Sequence, residues 1–237
     1  MKKMKKLKRS IHFLLVSLTC SSFLLTFQAC STDDDIEATT EEFDDSNFET
    51  IDWTTTTHSS EVDPNMDEVF DNNTVKKLEI VITESRWQSM LDNMTETYGA
   101  FGVGVNSESA DTEEGSIFVP SEVFYNGLEW YRVGVSFNGN SSLQSSWQNG
   151  ILKLSFKLDF DFFGEEYPQI DKQRFYGFKN LNLKNNFDNK SILQENGNTD
   201  TYSNSVHVAF YKVYIDHGDG AEYFGLYTLV QELDENV

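Results

Sequence analysis

The sequence is poor in cysteine, in proline and, after its first nine residues, in positive charge, and each shortage removes a class of protein. Only two cysteines occur, Cys20 and Cys30, both near the N-terminus. Cleavage ahead of Cys30 would leave no pair, so a disulfide framework is excluded and the folded part relies on packing. Three prolines in 237 residues exclude a proline-rich linker. Lys and Arg number 18 against 39 Asp and Glu, and six of the 18 (Lys2, Lys3, Lys5, Lys6, Lys8 and Arg9) precede position 10. The remainder holds 12 cations against all 39 acids, a net charge of −27. Such a field repels phosphate backbones, so no nucleic-acid partner is expected.

Long hydrophobic runs are also scarce. The one present, Ile11 to Phe27, follows the basic cluster and leads into Gln28, Ala29 and Cys30, the three-part order of an export signal. A short membrane anchor is the alternative, although the run is slightly under the roughly 20 residues a bilayer requires. The Ala29–Cys30 pair resembles the end of a bacterial lipoprotein signal, which makes Cys30 a lipidation site and the membrane a partner through that lipid. Ser31 to Asp35, reading STDDD, resembles the surface-export signal of Bacteroidetes-type lipoproteins. An outer-membrane or cell-surface location is expected, with residues 1–29 as the signal peptide.

Residues 31–75 contain 15 acids and no Lys or Arg, interleaved with Ser and Thr. This composition predicts a solvated tether over residues 30–74, with Phe43, Phe48, Ile51 and Trp53 able to dock near its end. His58, in a polar THS context, reads as a turn residue or, alternatively, a ligand.

The folded region is predicted over 75–237. KKLEIVIT alternates as a half-buried strand, and ESRWQSMLDNMTETY carries Trp87, Met90, Leu91 and Met94 at helical spacing. Gly99, Gly102 and Gly104 follow that helix instead of opening one, which argues for a surface loop over a phosphate cradle. SIFVPSEVFYNG, LEWYRVGVSFNGN and GILKLSFKLDFDFF predict an antiparallel meander with Asn126–Gly127 and Asn138–Gly139 as turns, and a final hairpin turns at Asp219–Gly220. The fold class expected is α+β: mostly antiparallel sheet with one clear helix.

Four ordered stretches carry a family resemblance: VGVSFNGNSS (133–142), KLSFKLDFDFF (153–163), QRFYGFKNLNLKNN (173–186) and YFGLYTLVQELD (223–234). They resemble the CotH family, the spore-coat-type atypical protein kinases. The resemblance, from about Trp53 onward, implies the small lobe of a kinase-like fold, using ATP and a divalent metal to phosphorylate serine on secreted or surface proteins. Family members continue past the GLYTLVQELD element into a second lobe with the metal-binding and catalytic aspartates. This chain stops at Val237, so the second lobe is expected to be absent and the chain catalytically incomplete as given, with no catalytic or metal residue assigned.

Within the resemblance, Lys157 is the preferred phosphate contact, with Lys153 expected on the same strand face by period-two alternation. Glu195 falls where the family has the glutamate of an Arg-Glu pair and would be the lysine's ion-pair partner. The pattern has basic residues where this chain has Ser136 and Asn138, and arginine where it has Gln194. Asp159 with Asp161 on one strand face, and Asp216 with Asp219 and Glu222 around the hairpin turn, are acidic sets that could bind a cation; two carboxylates on one strand rarely complete a coordination shell, and a turn explains the second set. The alternative function is a non-catalytic surface module for a glycan or envelope protein, presenting Trp130, Tyr131, Trp147 and Phe175.

Overall fold

The computed structural model describes residues 47–104, 116–139, 141–186 and 207–231. The architecture below belongs to the unit of residues 46–237.

Seven strands form it: β1 (Lys76–Val81), β2 (Val119–Tyr125), β3 (Leu128–Phe137), β4 (Phe156–Asp159), β5 (Asn180–Lys184), β6 (Val208–Asp216) and β7 (Glu222–Val230). Alternation sets their faces. In β1, Leu78 and Ile80 are buried while Lys77 and Glu79 point away from the core. The β2–β3 hairpin turns at Asn126 and Gly127, both at positive φ (51° and 78°), as a two-residue turn matched to strand twist requires.

Neighbouring strands follow the order β1-β2-β3-β4-β5-β7-β6 and the ring closes. Six of its seams are antiparallel; β1 and β6 are parallel, from Lys76 opposite Tyr211 to Val81 opposite Asp216. Closure gives each of the seven described strands a neighbour on both sides. The core includes Trp130, Val135, Phe156, Leu158, Phe175, Tyr211, Tyr227 and Leu229.

The helices are α1 (Thr55–His58), α2 (Met66–Val69), α3 (Glu84–Tyr98) and α4 (Ser141–Gln148), with a 3-10 turn at Pro168–Ile170. Thr83 caps α3 by accepting the Arg86 N–H, and Trp87, Met90 and Met94 form its buried stripe.

The expected α+β kinase small lobe is therefore corrected to a closed, mixed seven-stranded β-barrel with few helices. The decisive seam joins strands far apart in sequence, and no local pattern announces that pairing. Leu143 and Trp147 are the only two apolar residues of SSLQSSWQ, too few for a periodicity test to reveal α4.

Candidate functional site

Ladder register assembles a polar row on the outer face of the barrel. Ser136 of β3 stands opposite Lys157 of β4, Lys157 opposite Asn182 of β5, and Asn182 opposite Val230 of β7. Phe156 and Leu158, on either side of Lys157, are fully buried, so the lysine projects outward. Asn182 Oδ1 accepts from Asn138 Nδ2 at 2.9 Å, and Ser136 Oγ donates to the Ser116 carbonyl at 3.2 Å. Two residues along, Gly134 faces Asp159; a Cβ there would meet Phe162 Cβ at 2.7 Å, so glycine admits the Phe118–Phe162 stack against the row.

Lys153 does not join Lys157. It precedes β4, so the strand's alternation does not reach it. Its Nζ donates to the Leu226 carbonyl at 2.8 Å and the Asn185 carbonyl at 3.0 Å. The β5–β7 ladder ends at Lys184 opposite Thr228, and these two carbonyls lie just past that end. Lys153 thus acts as a side-chain rung where backbone pairing stops. Its ammonium lies 5.0 Å from the Tyr227 ring centroid, and Gly225 makes room, since a Cβ there would sit 2.6 Å from Lys153 Cε. Asn185 Nδ2 returns a bond to the Lys153 carbonyl at 2.7 Å. Burial pushes the lysine pKa down.

The QRFYG stretch serves the barrel's irregular strand. The β2–β3 register breaks between Ser121 and Val123, leaving Tyr131 and Arg132 as a bulge with Arg132 at φ 47°. Fully buried Gln173 completes it: its Oε1 accepts from Tyr131 N at 3.1 Å, and its Nε2 donates to the Tyr131 and Phe160 carbonyls at 2.8 and 3.1 Å. Glu122 takes the other half, accepting from Arg132 N and pairing with its guanidinium. Arg174 pairs with Asp161 at 3.0 Å, and its carbonyl accepts from Trp130 Nε1 at 2.8 Å.

The same stretch clasps the segment ahead of β1. Arg174 N and Tyr176 N donate to the His58 and Thr57 carbonyls, and Asn65 N donates to the Tyr176 carbonyl. Gly177, at φ 87°, lies so close to Asp63 and Pro64 that any Cβ would come within 2.7 Å of their backbone. His58 is fully buried, stacked between Trp53 (5.4 Å between centroids) and Trp130 (4.5 Å). Its Nε2 lies 2.9 Å from the Glu129 carbonyl, which only accepts, so the proton sits on Nε2 and Nδ1 accepts from Thr57 Oγ1 at 2.6 Å. Desolvation lowers the His58 pKa. Burial and the nearby Glu122 and Asp52 carboxylates push the Glu129 carboxyl up to about 6.

The acidic sets have local duties. Asp159 Oδ1 accepts from Asp161 N, Asp161 accepts from Lys172 N and pairs with Arg174, and Asp216 Oδ1 accepts from Gly218 N and Gly220 N. Among the described residues no group of three or more His, Cys, Asp or Glu is placed to hold a metal ion. Trp130, Tyr131, Trp147 and Phe175 are all buried, so these four present no binding platform. Cys30, Gln194 and Glu195 lie outside the described residues.

Lys157, between Asn182 and Ser136, is suited to a phosphate oxygen. The donors present do not by themselves make a metal shell. Asn182, Asn185 and Gly225 are the positions that spacing missed; the asparagine-rich run was visible, but only register tells which asparagine meets which lysine. No curated protein matches the chain. Residues 135–237 match the family model described as CotH kinase protein, a span that takes in Lys153, Lys157 and the whole Gln173–Asn186 stretch. Over that segment, somewhat under half of its length, the chain is similar to the CotH family, a kinase-like family.

Proposed function

We propose that this chain serves ATP- and metal-dependent phosphorylation of serine on secreted or surface proteins, held at the cell surface by lipid on Cys30. The observation that carries the reading is Lys157, set on the outer face between Ser136 and Asn182 inside the family-matched segment. Bound ATP supplies the phosphoryl group, with a divalent metal screening its charge.

Lys157 offers a cation fixed by its strand, and Asn182, itself held by Asn138, limits where that cation travels. Ser136 and Asn138 are neutral, so a nucleotide on this row meets one positive charge from these three positions, with Glu195 as the lysine's proposed ion-pair partner. Lys153, with two backbone acceptors already in place, fixes the β5–β7 seam beside the row. Exchanging its carbonyl partners for phosphate oxygens would make it a second contact.

Calorimetric titration of the full chain with ATP and magnesium tests the proposal. Measurable affinity that falls on Lys157→Ala supports it; no ATP affinity in the wild-type chain disposes of it. For the anchor, mass spectrometry of exported protein should show a diacylglyceryl group on Cys30 that Cys30→Ala removes.

A further inference from the structure

A second outer face, across β2, β1, β6 and β7, carries a row that nothing in the phosphorylation reading uses. Phe124 stands opposite Glu79, Glu79 opposite Tyr214, and Tyr214 opposite Tyr223. At the strand spacing of about 4.8 Å the row spans roughly 14 Å. Tyr223 is 56% exposed. Its ring centroid lies 5.3 Å from that of Tyr214 with the planes 53° apart, so the two form an open V. Lys77 Nζ is fixed beside them, 4.8 Å from the Tyr214 centroid and 2.7 Å from Glu79 Oε2. The next row places Lys77 opposite Lys212 and Lys212 opposite Leu226. A groove of about 390 Å³ continues the face over Phe124, Asn126 and Gly127.

We propose that this face binds a neutral saccharide, with the apolar side of one pyranose ring stacked on Tyr223. Its charges select that partner over others. Lys77 is already paired with Glu79, and among the described residues Lys212 is the row's remaining cation, inside a chain of strongly negative charge, which disfavours a polyanion. An apolar protein surface would strip water from Lys77, Glu79 and Lys212 without replacing its hydrogen bonds. Sugar hydroxyls replace them: the ammonium groups donate, Glu79 accepts, and the ring's C–H face covers the aromatic surface. These tyrosines are distinct from the four buried aromatics that spacing had offered as a platform.

The test titrates the full chain with neutral hexasaccharides of glucose, galactose, mannose and N-acetylglucosamine, and with polygalacturonate as a polyanion, by calorimetry. At least one neutral sugar should bind with Kd of about 1 mM or tighter. Tyr223→Ala should weaken it about tenfold or more, while Tyr223→Phe retains it. Ile51→Ala, at a residue 78% exposed elsewhere on the surface, should change nothing. Affinity should persist in about 0.5 M salt, where charge–charge attraction is screened. The proposal fails if no neutral sugar binds, if Tyr223→Ala binds equally well with an unchanged melting curve, or if only polygalacturonate binds and salt abolishes it.

Discussion

The His58 imidazole lies face to face with the Trp130 indole, ring centroids 4.5 Å apart and 20° from parallel, which ties the segment ahead of β1 to the barrel core. Protonating that imidazole places a charge between two indoles. The folded-state pKa is lowered, so the contribution of neutral His58 is complete above the unfolded value of about 6.5 and is lost as pH falls through the folded value. Glu129 works in the opposite sense. Its folded pKa of about 6 lies above the ordinary 4.5, so its contribution is complete below 4.5 and is lost as pH rises through about 6. The two oppose each other between these limits. Glu129→Gln should make the melting temperature fall more steeply from pH 7 to pH 5 than in the wild type, and His58→Gln should make it fall less. Differential scanning fluorimetry across that window reads both; a parallel response in the two variants would refute the assignment.

Gln173→Leu preserves volume but leaves the Tyr131 N–H and the Tyr131 and Phe160 carbonyls without their buried partner. A loss of about 3 kcal/mol in urea denaturation is expected. A loss below about 0.5 kcal/mol would mean the bulge finds other partners.

Gly177→Ala forces a Cβ to 2.7 Å from the Asp63–Pro64 backbone at a φ of 87°. The expected cost is about 2 kcal/mol, with protease cleavage between Ser59 and Asn65 accelerated before global unfolding. Cleavage elsewhere first would show that the clasp is not the weak point.

The two lysines should separate in their phenotypes. Lys153→Met removes donors from the Asn185 and Leu226 carbonyls and should lower stability by about 2 kcal/mol. Lys157→Ala, on the outer face, should lower it by no more than about 0.5 kcal/mol while carrying the larger loss of ATP affinity. Equal stability losses would place both lysines in one structural role.

Much of this molecule was legible element by element. The alternation of KKLEIV, the stripe of Trp87, Met90 and Met94, the Asn126–Gly127 turn and the final hairpin each obey local rules, and each forms where those rules place it. The closed barrel was not legible, because Leu78 and Val213 look the same whether their strands end as edges or as neighbours. Composition misled at residues 48–70: acids, Ser and Thr outnumber apolar residues there, yet Phe48, Trp53, His58 and Phe70 carry the packing. Within the candidate site, residue type singled out Lys153 and Lys157 together, and only the end of the β5–β7 ladder separates a seam lysine from a surface one.

The β6–β7 hairpin occupies the gap between β1 and β5, touching one by a parallel seam and the other by an antiparallel one. During synthesis those two strands emerge first and wait, each with one unpaired side, until the hairpin arrives. Barrel formation is thus a late, long-range event: slow by its topology, and exposed to edge-to-edge aggregation in the interval.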